Sequence, residues 1–196
     1  FLVVPCDLSR ATVAELRQAV ERVVTELGRL DILVNNAGII RRTPALDHSE
    51  ADWDEVIQTN LRALFFLSQA AARVMARQGG GKIVNIASVL SFQGGILVPS
   101  YTASKHGVAG LTRALANEWA AHNINVNAIA PGYMATDNTA ALRADPVRSR
   151  AILERIPAGR WGEPADLQGA IVFLASRAAE YVHGAMVSVD GGWMAR

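Results

Sequence analysis

The feature that most constrains this chain is its rhythm: apolar runs of strand length alternate with longer segments that repeat at the helical period. Residues 1–6 are the first such run, and residues 12–27 follow with Val13, Leu16, Val20, Val23 and Val24 on one helical face. Residues 30–34 form a second run, too apolar to leave a strand face for solvent. Ser49 opens a long helix reaching Arg77 or close to it, with Asp52 three residues on in a capping-box-like position. Residues 82–87 read as a strand, 101–121 as a helix and 124–130 as a strand. Beyond Pro131 and Gly132, the stretch to Ile156 fits a loop with one or two short helices. Pro164 then starts a helix toward Ser176, and residues 186–189 are the last strand.

Strands apolar on both faces, each followed by a helix, require a parallel sheet covered by helices, with ligands beyond the carboxyl ends of the strands. With 196 residues, 51% hydrophobic and 19% charged, the chain can bury a sizeable core as a single domain over 1–196. A net charge of +1 gives no reason to expect nucleic acid or a membrane surface as partner. No apolar run approaches the roughly 18 residues of a membrane span, and residues 1–6 are too short, and lack the basic lead, for a secretory signal. Cys6 is the one cysteine, so no internal disulfide is available and a cytoplasmic protein with an inert thiol is expected. The 4 histidines lack ligand spacing, so no metal site is expected.

The chemistry-bearing residues fall where those strands end. Tyr101 and Lys105 are one helical turn apart at the head of a helix, so phenol and ammonium share a face. A phenol with a pKa of about 10 is a poor base at neutral pH. A positive charge about 4 Å away, at an effective dielectric near 20, is worth about 4 kcal/mol, or roughly three pKa units. The spacing therefore predicts that Lys105 draws the Tyr101 pKa toward neutrality. Ser88 closes the strand 82–87 with a hydroxyl able to bond a reacting oxygen. Asn60, a mediocre helix former in an apolar stretch, is a candidate to hold a water in a proton relay. Asn35, Asn36, Ala37 and Gly38 follow the strand 30–34 and let backbone approach a ligand. Pro131 and Gly132 follow 124–130 in the same way, with Thr136 beyond.

Taken together in this order, these motifs resemble the short-chain dehydrogenase/reductase family from Asp7 to Gly192. The resemblance implies a Rossmann-like doubly wound α/β fold with helices on both faces. It implies Tyr101 as general acid/base, Lys105 as the residue that lowers the phenol pKa and holds the nicotinamide ribose, Ser88 as the orienter of carbonyl or alcohol, and Asn60 in the relay. Asp7 would sit beside the adenine, Asn35, Ala37 and Gly38 near the adenosine ribose, and Pro131, Gly132 and Thr136 along the nicotinamide. Asp190, Gly191 and Gly192 match the family's last strand ending. The family is usually tetrameric, so a homotetramer is expected.

One part of the pattern is missing. The glycine-rich turn T-G-x-x-x-G-x-G has no counterpart, since Gly79 to Gly81 and Gly94-Gly95 lack its spacing and its strand-turn-helix setting. With it go the first strand–helix units and the residue that separates NAD from NADP. The chain opens on Phe1, in a strand-like run whose sheet neighbour would be absent. The expectation is of an incomplete record, and of weak or no NAD(H) binding by a protein beginning at Phe1, which calorimetry reads directly.

Several stretches resemble the 2-deoxy-D-gluconate 3-dehydrogenase/2-dehydro-3-deoxy-D-gluconate 5-dehydrogenase type: NNAGIIRR from Asn35, LSFQGG from Leu90, NEWAAHNINVNAIAPGY from Asn117, IPAGRWG from Ile156 and VDGGWMAR from Val189. That implies a secondary hydroxyl on a sugar acid and NAD as carrier, with NADP not excluded. A carboxylate calls for arginine, and Arg41, Arg42, Arg143 and Arg148 are the candidates. Gln93, Tyr133 and Met134 are candidates for the substrate hydroxyls, while Trp161 and Trp193 are read as packing. The alternatives are a reductase of another carbonyl, such as a 3-oxoacyl carrier-protein thioester, and a non-catalytic fragment lacking cofactor binding.

Overall fold

The computed structural model describes residues 1–196. Helix α1 spans Val13–Leu27, and its start is fixed by a capping box: the Thr12 hydroxyl accepts from the Glu15 amide while the Glu15 carboxylate accepts from the Thr12 amide at 2.8 Å. Gly28, at φ +83°, ends it. Strand β1 is Ile32–Asn35. Ser49 caps the next helix, accepting from the Asp52 amide at 3.1 Å. The expected long helix runs as α2 (Glu50–Ile57), a five-residue π turn (Gln58–Arg62) and α3 (Ala63–Gln78). The wide turn carries Thr59 and Asn60, both buried; such turns favour functional sites. There follow β2 (Gly81–Ile86), α4 (Pro99–Trp119), β3 (Ile124–Pro131), the short α5 (Ala140–Ala144) and α6 (Pro146–Leu153), α7 (Gln168–Ala175) and β4 (Met186–Val189).

The four strands lie in the order β1-β2-β3-β4, all parallel, with Asn35 opposite Asn85 and Ala128 opposite Met186. Side chains alternate between the two faces. Ile83, Ile124 and Val126 pack under α3 and α4 through Ala71, Met75 and Leu115, and α1 lies on α3 through Val20, Ala70 and Val74. Val84 and Ile129 face the other way, against Leu174 of α7. This is the expected parallel sheet with helices on both faces.

A polar ladder crosses the first of these layers. Asn35 Nδ2 donates to Ser68 Oγ at 2.9 Å and to Asn85 Oδ1 at 2.8 Å, and Asn85 Nδ2 donates to Thr112 Oγ1 at 3.0 Å. It joins β1, α3, β2 and α4 at one level, which fixes α4 in register with β2.

Residues 1–6, read as a strand-like run, form no strand, in keeping with the sheet neighbour expected to be absent; Cys6 and Leu8 pack against Leu16 and Ala63. Burial, with Glu15 and Asp7 nearby, raises the Cys6 pKa, as suits an inert thiol. Residues 30–34 were expected to lack a solvent face, yet Ile32 and Val34 are 44% and 38% exposed. They point to the α7 side of the sheet, and the residues α7 packs against lie on β2, β3 and β4. No helix is long and apolar enough to cross a membrane.

Candidate active site

Because the strands are parallel, Asn35, Ile86, Pro131 and Val189 all end at one edge of the sheet. Ser88 follows β2 in extended conformation, its hydroxyl accepting from the Leu90 amide at 3.1 Å. Helix α4 begins with Pro99 in its first turn, where a missing N–H costs nothing. Its buried stripe of Ser100, Ser104, Lys105, Val108 and Thr112 faces the sheet. Two bonds lock it to the end of β2: Lys105 Nζ donates to Ile86 O at 2.6 Å, and Ser91 Oγ donates to Lys105 O at 2.7 Å. Lys105 is 4% exposed, its Nζ 5.5 Å from the centre of the Tyr101 ring.

The electrostatics differ from the sequence expectation. Burial raises the Tyr101 pKa, while the nearby Ser88 hydroxyl and the charge of Arg42 pull it down without cancelling that rise. Burial also lowers Lys105 to about 8. The expectation that Lys105 draws the phenol down is therefore corrected. Enclosing both groups penalises both charged forms, and the ammonium spends its closest contact on Ile86 O. At neutral pH the site holds a protonated phenol in front of a lysine still mostly charged. That is a proton donor in place.

Asn60 is 1% exposed and spoken for. Its Oδ1 accepts from the Ile39 amide at 2.8 Å, and its Nδ2 donates to Ile39 O at 2.9 Å and Ser104 Oγ at 3.2 Å. Ser104 Oγ in turn donates to Tyr101 O at 2.7 Å. The amide thus braces the backbone beside Gly38 and the turn of α4 that carries Tyr101. A Cβ on Gly38 would lie 3.5 Å from Asn60 Oδ1 and 3.8 Å from Lys105 Nζ, so Gly38, Asn60 and Lys105 meet at one point.

Ser88 and Tyr101 open together into a cavity of about 400 Å³, with Ile40, Arg42, Leu97, Gly132, Tyr133, Asn138, Leu142, Asp145 and Arg148 also on its walls. Two roomier hollows, about 450 and 680 Å³, lie along α1 and the start of the π turn, and neither is lined by Ser88 or Tyr101. The walls are stitched together: Arg42 Nη2 donates to Asn138 O at 2.8 Å, and the Thr43 amide donates to Leu97 O at 2.9 Å. Leu97 sits at φ +66°, a strained position for a leucine.

The sequence candidates divide around this cavity. Arg148, Arg42 and Tyr133 line it. Arg41 does not; its Nη2 is 2.7 Å from Glu55 Oε2, which takes up its charge. Gln93 lies outside the lining, and Met134 is buried at a neighbouring hollow of about 220 Å³ that Tyr133 also borders. Arg143 donates to Thr136 O at 3.2 Å. Asp7 borders the 450 Å³ hollow, its carboxylate held below its usual pKa by Ser9. Asn35 spends its amide on the polar ladder and braces the strand end.

Sequence reasoning missed Ser104, Leu97, Asn138 and Asp145. Asp145 before Pro146 was readable as a helix cap, and it accepts from the Val147 and Arg148 amides. A leucine in left-handed conformation sends no sequence signal.

The dinucleotide that the resemblance implies fits these groups. Lys105 Nζ has three N–H donors and one protein acceptor, and lies 3.8 Å from where a Cβ on Gly38 would sit, so two donors remain for a ribose diol beside Gly38. Asn36 and Ala37 are exposed at the end of β1, and Gly132 borders the cavity beyond β3.

Comparison with known proteins follows the same line. The family described as enoyl-(acyl carrier protein) reductase matches residues 1–194. The chain is 63% identical over 197 residues to the 2-dehydro-3-deoxy-D-gluconate 5-dehydrogenase of Escherichia coli (strain K12), covering 100% of this chain and 77% of that protein. Among solved structures, a candidate 2-deoxy-D-gluconate 3-dehydrogenase from Agrobacterium tumefaciens with bound NADP is 64% identical, with a TM-score of 0.88 over 94% of this chain and 75% of that one. A gluconate 5-dehydrogenase from Burkholderia cenocepacia J2315, in complex with NADP and tartrate, is 40% identical, with a TM-score of 0.94 over 97% of this chain and 74% of that one.

Proposed function

The chain belongs to the short-chain dehydrogenase/reductase family, and from that premise we propose that it interconverts a secondary alcohol and a ketone on a sugar acid of the 2-dehydro-3-deoxy-D-gluconate type. The observation that carries this reading is the union, in one cavity, of the Ser88 and Tyr101 hydroxyls with the Arg42 and Arg148 guanidiniums. A bound nicotinamide dinucleotide supplies the hydride in one direction and accepts it in the other.

In reduction, Ser88 Oγ and Tyr101 Oη both donate to the substrate carbonyl oxygen, and Tyr101 gives up its proton as that oxygen becomes an alkoxide. Burial keeps the phenol protonated at neutral pH, the state from which a proton can be given. The Ser88 hydroxyl and the charge of Arg42 favour the phenolate left behind, Lys105 would hold the ribose, and Asn60, through Ile39 and Ser104, fixes the groups on either side of Lys105. Asp7, Ala37, Gly38, Pro131, Gly132 and Thr136 are assigned to the dinucleotide, with Asn35 bracing the strand end from behind. Arg42 and Arg148 are assigned to the substrate carboxylate, with Tyr133 beside the hydroxyls. Arg41, Gln93 and Met134 are given up as direct contacts for the reasons above.

NAD is the carrier we propose on the subgroup resemblance; the Agrobacterium and Burkholderia structures hold NADP, so both belong in the assay. A cytoplasmic homotetramer is proposed on the same resemblance. The test, in a protein that carries the glycine-rich turn ahead of Phe1, follows reduced nicotinamide at 340 nm with 2-dehydro-3-deoxy-D-gluconate and, side by side, an acetoacetyl thioester. Charge-assisted bonds to a carboxylate predict a kcat/KM for the sugar acid at least about 100-fold higher. Preferred turnover of the thioester would replace this reading with that of a carrier-protein reductase.

A further inference from the structure

Trp193, in the C-terminal tail, does not line the cavity, yet it is 4% exposed and shares one packed cluster with three of the segments that do. Its ring centre lies 4.6 Å from that of Tyr133, with the planes tilted by 54°, and Tyr133 meets Trp161 edge-on at 5.8 Å. The Arg155 guanidinium covers its other side, 4.0 Å from the ring centre. The same cluster contains Val89, next to Ser88, together with Ile152 of α6 and Leu142 of α5. Val89, Tyr133 and Leu142 are all cavity walls.

The tail reaches this place by a tight path. Gly191 and Gly192 adopt φ of +64° and +87°, and a Cβ on Gly192 would come within 3.0 Å of Pro157. Asp190 takes the Gly192 and Met194 amides on its two carboxylate oxygens at 2.9 and 3.0 Å. The Ala158 amide donates to Gly191 O at 3.0 Å, and the Gly132 amide donates to Val189 O at 3.0 Å, beside Tyr133. The tail is therefore bonded to both ends of the segment 132–158, which carries Tyr133, Asn138, Leu142, Asp145 and Arg148 across the cavity mouth.

We propose that Trp193 is a positioning residue for substrate: a pin that seats the α5–α6 wall and the Tyr133 ring against the end of β2, and so sets the distance between Arg148 and the Ser88–Tyr101 pair. This deepens the sugar-acid reading and rests on it. A pin of this kind acts mainly on substrate affinity, because Lys105 is fixed independently, to Ile86 O and by Ser91 Oγ. The indole Nε1 is buried without a partner, so phenylalanine can take the place without stranding a new polar group.

The test compares Trp193→Leu, which keeps an apolar filling but removes the aromatic faces, with Trp193→Phe, which keeps them. Trp193→Leu is expected to raise KM for 2-dehydro-3-deoxy-D-gluconate by about tenfold or more, with a smaller fall in kcat and the KM for the dinucleotide unchanged. Limited tryptic cleavage after Arg148 and Arg150 is expected to speed up while cleavage after Arg17 and Arg22 in α1 does not, and Trp193→Phe is expected to restore both readouts. The proteolysis arm needs no substrate, so a failure of the sugar-acid reading shows as an idle wild type with the proteolytic difference intact. Unchanged KM and cleavage in Trp193→Leu, a uniform rise in cleavage along the chain, or loss of cooperative melting would each overturn the proposal.

Discussion

Lys105 is where spacing and burial give opposite answers. The spacing of Tyr101 and Lys105 announced a pair, and the pair is present, but the direction of the phenol's shift depends on how many protein atoms surround it. That number is set by the fold as a whole, and no local pattern carries it. The lysine has a measurable consequence of its own. Its pKa is lowered in the fold from 10.5 to about 8, so between those values the unfolded chain binds more protons than the folded one. Stability then rises with pH through that window, and the contribution present above 10.5 is lost as pH falls through about 8, a penalty of about 3 kcal/mol at neutral pH. Lys105→Met is expected to melt higher than the wild type at pH 7, with the gap closing by pH 10.5. Thermal melts across that range check it, and a gap that does not change with pH would show that the ammonium is not enclosed.

Among the elements, α4 and the helix from Ser49 carried the clearest signals, because caps and helical period are local. The π turn that places Asn60 was not legible: an extra residue in one turn leaves the apolar pattern almost unchanged while rotating two polar side chains inward. The ladder of Asn35, Asn85 and Thr112 was invisible for a related reason, since it is assembled by sheet register between residues far apart in sequence. Asn85→Leu would leave Thr112 Oγ1 without its donor and Asn35 Nδ2 with Ser68 alone. A loss of about 2–3 kcal/mol in urea unfolding is expected. Because the ladder sets α4 against β2, kcat should fall as well, and retention of both full stability and kcat would remove the ladder from the account of the site.

The molecule as a whole reads as one sheet with its chemistry gathered at the carboxyl edge. That much followed from the alternation of strands and helices, and β4 lies at the residues expected from the sequence, 186–189. Residues 30–34 show the limit of such reading, since Ile32 and Val34 are apolar yet exposed where α7 covers only the later strands. The substrate wall shows another. Of two adjacent arginines, Arg42 faces the cavity and Arg41 faces Glu55, a choice made by the acidic face of α2. All of this converges on Tyr101 as the group that gives and takes the proton. The most direct measurement is kcat for sugar-acid turnover in Tyr101→Phe, with dinucleotide affinity measured in parallel by calorimetry. Loss of a positioned acid/base predicts a fall of about 10²- to 10⁴-fold with dinucleotide affinity essentially retained, and a phenylalanine variant turning over within about threefold of the wild type would contradict it.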